Sequence, residues 1–102
     1  MNESDLMRAI QIAVSHTGAR VFRNNCGTAR TEDGRFIRFG LFPGSSDLIG
    51  WTRQGRFLCL EIKMPGKRAT LLQQAFINAV NQAGGLAFVA TSVEDALNKL
   101  NT

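Results

Sequence analysis

Asp47, Glu61 and Lys63 are the residues whose types and spacing could do chemistry together. Phe57 to Lys63 reads as a strand, apolar until Glu61 and so of the kind buried on both faces. Alternation along a strand puts Glu61 and Lys63 on one face and Ile62 on the other. Asp47 opens the preceding strand, Asp47 to Thr52, and Arg53-Gln54-Gly55-Arg56 folds the two into a hairpin. That hairpin could bring the Asp47 carboxylate close to that of Glu61. Two adjacent carboxylates suit a hard divalent cation, because Mg²⁺ takes one or two carboxylates with water and substrate phosphate. The backbone carbonyl of Ile62 lies between the acidic positions as a third ligand. Lys63 would stand beside the attacking water, or stabilise charge developing on a phosphate. Each feature alone has a plainer explanation. A Glu-x-Lys triplet is commonly a solvated pair at a strand end, and an Asp after Gly44-Ser45-Ser46 is commonly a turn former. Their combination, followed at once by the basic loop Pro65-Gly66-Lys67-Arg68, points to metal-dependent phosphodiester chemistry.

The elements that must position these residues follow from periodicity. Residues 4–17 read as a helix with Leu6, Ile10, Ala13, Val14 and Thr17 on one face, ended by Gly18. Ala19 to Arg23 is short and β-like, Asn24 to Gly34 a loop, and Arg35 to Leu41, alternating basic and apolar residues, could add an edge strand. Thr70 caps a helix running to Ala83, with Leu72, Ala75, Phe76, Ala79, Val80 and Ala83 as its apolar stripe. Leu86 to Thr91 is a strand, and Ser92-Val93-Glu94-Asp95 opens a last helix to Leu100 in a near capping-box pattern. The order α-β-β-β-α-β-α describes an α/β fold, a mixed sheet flanked by helices. With 102 residues and no linker-like tract, the expectation is one domain over residues 1–102.

Composition sets outer bounds. Hydrophobic residues are 44% and charged residues 20%, so the chain folds rather than staying disordered. Seven Phe, one Trp and no Tyr read as mostly core aromatics. No apolar run approaches the roughly 20 residues that span a bilayer, and the start is too polar for a signal peptide. The net charge of +4 is concentrated between Trp51 and Arg68, where Arg53, Arg56, Lys63, Lys67 and Arg68 face one acid, Glu61. Such a region favours a polyanionic partner, nucleic acid first. Cys26 and Cys59, with one His (His16), make no zinc set and read as reduced thiols of a cytoplasmic protein, Cys59 buried. His16 receives no role.

Asp47 with Glu61-Ile62-Lys63 on adjacent strands resembles the PD-(D/E)xK nuclease superfamily. More narrowly, the chain is similar to a stand-alone VRR-NUC (virus-type replication-repair nuclease) domain. The resemblance runs through Ala19 to Asn25, Arg38 to Leu41, Gly44 to Trp51, Glu61 to Lys63, Gln73 to Phe76, Ala83 to Gly85 and Ser92 to Ala96. Ser46 stands where the superfamily's name has Pro, which is usual for this branch. The resemblance implies a restriction-endonuclease-like core. It gives Asp47 and Glu61 the role of holding Mg²⁺ or Mn²⁺, and Lys63 that of orienting the water. Gln73 would sit over the metal site or a phosphate. An acid on the first helix would complete the site, Glu3 first and Asp5 as the alternate, although acids there also complement a helix dipole. Arg23, Asn24, Asn25 and Ser45 would contact DNA or shape the loops beside it. Lys67 and Arg68 either grip the DNA backbone or form a solvated basic loop.

The expected protein is therefore a Mg²⁺- or Mn²⁺-dependent endodeoxyribonuclease, a phosphodiester hydrolase acting on branched DNA. Stand-alone relatives imply cleavage of four-way (Holliday) junctions by a symmetric homodimer, in a bacterial cytoplasm or encoded by a phage. The expected dimer interface runs from Arg35 to Phe42. The alternative is a non-catalytic module of nuclease-like fold that binds DNA or another protein. A sequence-specific restriction-type enzyme ranks lower, since little chain is left to read bases in the major groove.

Overall fold

Helix α1 (Glu3–Ser15) starts at a capping box: the Asn2 side chain accepts from the Asp5 N–H, and the Asp5 carboxylate accepts from the Asn2 N–H. Leu6, Met7, Ile10 and Val14 form its buried face. Ala13 and Thr17 lie off that face, which turns toward Met7 instead. The computed structural model describes residues 1–101.

Four strands make the main sheet: β1 (Arg20–Arg23), β4 (Leu48–Trp51), β5 (Phe57–Ile62) and β6 (Leu86–Ala90), in the order β1-β4-β5-β6. The β1–β4 and β4–β5 pairs are antiparallel and β5–β6 is parallel, so the sheet is mixed. Strand β5 is bonded on both edges and buried from Leu58 to Ile62. Its alternation divides the interior. Leu58, Leu60 and Ile62 face α1 and α3 (Val93–Leu100), in a core with Leu48, Phe88 and Ala96. Cys59 faces α2 (Leu71–Gln82), with Val80, Ala87 and the half-buried Ile49, Phe76 and Ile77. The main-sheet elements thus follow the expected α-β-β-β-α-β-α order. No helix among the described residues is long and apolar enough to cross a membrane.

Between β1 and β4 the chain departs from expectation. Gly27–Arg30, within a stretch expected to be loop, is strand β2; it pairs antiparallel with β3 (Phe36–Phe39). Arg35 to Leu41 is accordingly no edge of the main sheet. It belongs to a separate two-stranded hairpin whose eight strand positions are all exposed. The radius of gyration, 14.2 Å, exceeds the roughly 13 Å typical of a chain this long.

Helix α2 keeps part of the expected stripe: Phe76 and Val80 pack, joined by Ile77, while Leu72, Ala75, Ala79 and Ala83 are exposed, as is Leu71. Two overlapping stripes have helical spacing, and the small Cys59 and Ala87 on the sheet admit the bulkier one. The aromatics are less core-like than expected. Phe88 is buried, whereas Phe22, Phe36, Phe39, Phe42, Phe57 and Trp51 are all exposed. Phe22 and Trp51 stack at 5.7 Å between centroids on the sheet face that α2 leaves open. Arg56, expected to add to a basic patch, donates to the Gly84 and Gly85 carbonyls at 2.8 Å and closes the end of α2.

Candidate active site

The β4–β5 register sets Leu48 opposite Leu60, which makes Asp47 the next residue outward and Glu61 its counterpart. Asp47 is anchored, its Oδ2 accepting the Ile62 N–H at 2.8 Å. Lys63 is anchored on the other side, its N–H donating to the Ala90 carbonyl at 3.1 Å. These two bonds fix where the side chains of an otherwise apolar strand end emerge. Ile62 lies in the core on the far face, as alternation requires.

Glu61 is the unusual member. It is 2% exposed, its Oε2 lies 3.8 Å from Lys63 Nζ, and its Oε1 has no hydrogen-bond partner. Burial pushes its pKa up to about 8, reinforced by hydrogen bonding to and repulsion from Asp47. Lys63 pulls the other way, and Glu3 adds a small further push upward. A buried carboxylate with a bare oxygen is costly unless a cation or proton meets it. Ser46 Oγ, one residue before Asp47, is likewise buried and without a partner.

The donor set fits a hard cation. Among the described residues no three Asp, Glu, His or Cys side chains converge into a metal cage. Mg²⁺ needs no such cage, because waters and phosphate oxygens complete its shell. The observation that favours a cation is the buried, bare Oε1 on a carboxyl that also interacts with Asp47.

The other expected residues fall into three groups. Glu3 stands exposed on the first turn of α1, close enough for its charge to reach Glu61, while Asp5 is held in the capping box. Gln73 forms the second capping box: its Oε1 accepts the Thr70 N–H at 2.8 Å, and its own N–H donates to Thr70 Oγ1. Arg23, Asn25, Lys67 and Arg68 are exposed.

Asn24 and Ser45 face inward. Asn24 Nδ2 donates to Ser45 Oγ and the Ser46 carbonyl, its Oδ1 accepts the Leu41 N–H, and its own N–H donates to the Asp47 carbonyl at 2.8 Å. Ser45 Oγ also donates to the Phe42 carbonyl. One asparagine thus ties β1, the return of the β2–β3 hairpin and the turn that presents Asp47. Its place just after a strand is the available signal, but the partners lie 17 to 23 residues away, beyond any local pattern.

No curated protein shows significant similarity to the chain. The model of the VRR-NUC domain family matches residues 4–94, which contain Asp47, Glu61, Lys63 and Gln73. With that match over nearly its whole length, and a mixed sheet carrying Asp47, Glu61 and Lys63 at one end, the chain belongs to the VRR-NUC domain family and has a nuclease-type function.

Proposed function

We propose that the chain is a metal-dependent, structure-specific DNA endonuclease that cuts four-way junctions as a symmetric homodimer. The observation that carries this is the buried Glu61 carboxylate, its Oε1 bare and its Oε2 beside Lys63, across from Asp47. Asp47, Glu61 and the Ile62 carbonyl would hold Mg²⁺ or Mn²⁺, with Glu3 nearest among the remaining acids. The ion supplies Lewis-acid charge at the phosphate. Lys63 is 17% exposed, so its ammonium stands at the site largely shielded from bulk water. There it donates to the attacking water and to the charge that builds on the phosphate. The water oxygen bonds to phosphorus as the bond to the 3′ oxygen breaks, leaving a 5′-phosphate and a 3′-hydroxyl. Gln73 Oε1 is held by the Thr70 N–H, which leaves its amide N–H groups to donate toward a phosphate.

Dimerisation follows from the substrate. A four-way junction needs two symmetry-related cuts, and one small site per chain makes a two-fold axis the simple solution. The exposed Ile37, Phe39, Leu41 and Phe42 support an interface over Arg35 to Phe42.

The test is cleavage of a labelled four-way junction, with Mg²⁺ and with Mn²⁺, by wild type and Lys63→Ala. Linear duplex, flap and single strand run alongside. Paired, metal-dependent cuts confined to the junction and lost in the variant are expected. Cutting of flaps or duplex instead would keep the nuclease and discard the junction specificity. Binding without cutting would leave a non-catalytic DNA-binding module.

A further inference from the structure

The β2–β3 hairpin has two unlike faces. Opposed residues of an antiparallel pair share a face, and so do residues two apart. The pairs Gly27–Phe39 and Ala29–Ile37 therefore make one face, which is apolar. The pairs Thr28–Arg38 and Arg30–Phe36 make the other, which carries two arginines, a hydroxyl and an aromatic ring. Arg30 lies over the Phe36 ring at 5.7 Å, a stacking that pre-orients its guanidinium.

Among the described residues neither arginine is neutralised by an acid. The nearby acids sit at the hairpin turn, where Asp33 pairs with Arg35 at 2.9 Å. Among the described residues no carboxylate lies within ion-pair distance of Arg30 or Arg38. Both are exposed, and the hairpin joins no other strand. Its root is continuous with the candidate site: Asn24 at one end bonds the Asp47 carbonyl, and Leu41 at the other bonds Asn24.

We propose that the Thr28, Arg30, Phe36 and Arg38 face of this hairpin grips the phosphate backbone of DNA outside the catalytic pocket. The partner follows from charge: unpaired, exposed guanidiniums on an extended ribbon suit phosphate oxygens, which arginine engages through paired donors. The proposal rests on the DNA partner of the function above, but not on cleavage. The apolar face, on the opposite side of the same ribbon, remains free for a second copy.

The experiment measures binding of a labelled four-way junction and a linear duplex in chelator, where no cutting occurs, across a salt series. Wild type is compared with Arg30→Ala/Arg38→Ala and with Arg30→Lys/Arg38→Lys. Thermal melting and sedimentation of each DNA-free protein accompany it. Each lost phosphate contact reduces the slope of log K against log salt by about 0.9, so the alanine pair should flatten it by about 1.8. The lysine pair should keep most of the slope. An unchanged slope in the alanine pair would overturn the proposal. So would a change in its sedimentation, which would make the arginines part of assembly. If the wild type still cut nothing once Mg²⁺ was restored, the catalytic reading would fall, and the slopes measured in chelator would still decide the hairpin. A wild type that binds no DNA would sink both.

Discussion

Two hairpins of this chain share one turn and little else. Thr31-Glu32-Asp33-Gly34-Arg35 joins β2 to β3, and Thr52-Arg53-Gln54-Gly55-Arg56 joins β4 to β5. In each, the Thr N–H donates to the Arg carbonyl, the Arg N–H donates to the Thr hydroxyl, and the Gly N–H donates back to the Thr carbonyl. Each glycine has a positive φ, +87° at Gly34 and +84° at Gly55, which other residues adopt only under strain. The strands decide the difference. Leu48, Leu58, Cys59, Leu60 and Ile62 give the second hairpin apolar groups on both faces, and helices cover them. Gly27-Thr28-Ala29-Arg30 and Phe36-Ile37-Arg38-Phe39 offer no such pair of faces, and no helix covers them. Turn chemistry makes a hairpin; apolar content on both sides decides whether it becomes core or stays an arm. An isolated two-stranded hairpin is marginal in water, so the arm's folding benefits from a partner that covers it.

The largest way to break this contrast is at the end of the buried pair. Asp47→Ala and Lys63→Ala should each slow cleavage about 10²–10³-fold or more, measured by single-turnover assay at saturating metal. Next come packing changes. Leu60→Ala should cost about 2–5 kcal/mol, lowering the melting temperature by about 10 °C or more. Gly50→Ala should be as damaging, because a Cβ there would collide with the Arg20 carbonyl where β1 crosses β4. On the arm, Ile37→Ser should change protomer stability by about 0.5 kcal/mol at most. Sedimentation should nevertheless show it shifting a dimer toward monomer. If Ile37→Ser destabilised the protomer as much as Leu60→Ala, the arm would be core and the contrast wrong.

These differences also mark what could be read from the residues alone. The main-sheet elements, and the meeting of Asp47 with Glu61 and Lys63, were legible because strand alternation and one tight turn are local facts. The same turn at Thr31 to Arg35 carries no hairpin signal in the sequence, because the flanking strands lack an apolar run. With it went the basic face made by Arg30 and Arg38, since a face exists only once the register is known. The packing face of α2 is half legible: Phe76 and Val80 stand in the expected stripe and pack, but Leu72, Ala75 and Ala79 repeat as regularly and lie exposed. Asn24 reads from the sequence only as a residue beside DNA or in a loop. Its bonds to Ser45, Ser46 and Leu41 required folding to bring distant segments together.

A smaller effect sharpens the comparison through its two cysteines. Cys26 is exposed at the root of the arm, and Cys59 is buried in β5, where burial pushes its thiol up to about 12. A thiolate-selective reagent should therefore label one cysteine per native chain quickly. The second should react only after denaturation. Fast double labelling of the native protein would show that β5 opens as readily as the arm.

The smallest effect concerns the support that β5 has and the arm lacks. Beyond β5 lies β6, whose end is held by α3: the Asp95 carboxylate accepts the Thr91 N–H at 3.0 Å, and Lys99 Nζ donates to the Val89 carbonyl and to Asp95. Burial pushes the Asp95 pKa up, but the Thr91 N–H and the Lys99 charge outweigh it, and the net shift is downward. A carboxyl whose native pKa lies below its unfolded value stabilises the fold when ionised. That contribution is complete above the unfolded value and is lost as pH falls through the native one. Asp95→Asn should therefore cost about 0.5 kcal/mol at neutral pH, a modest figure because the pair is partly solvated. The difference from wild type should shrink toward zero in acid, as followed by denaturant melts across pH. A difference that persisted unchanged into acid would mean that Asp95 acts through packing and not through its charge.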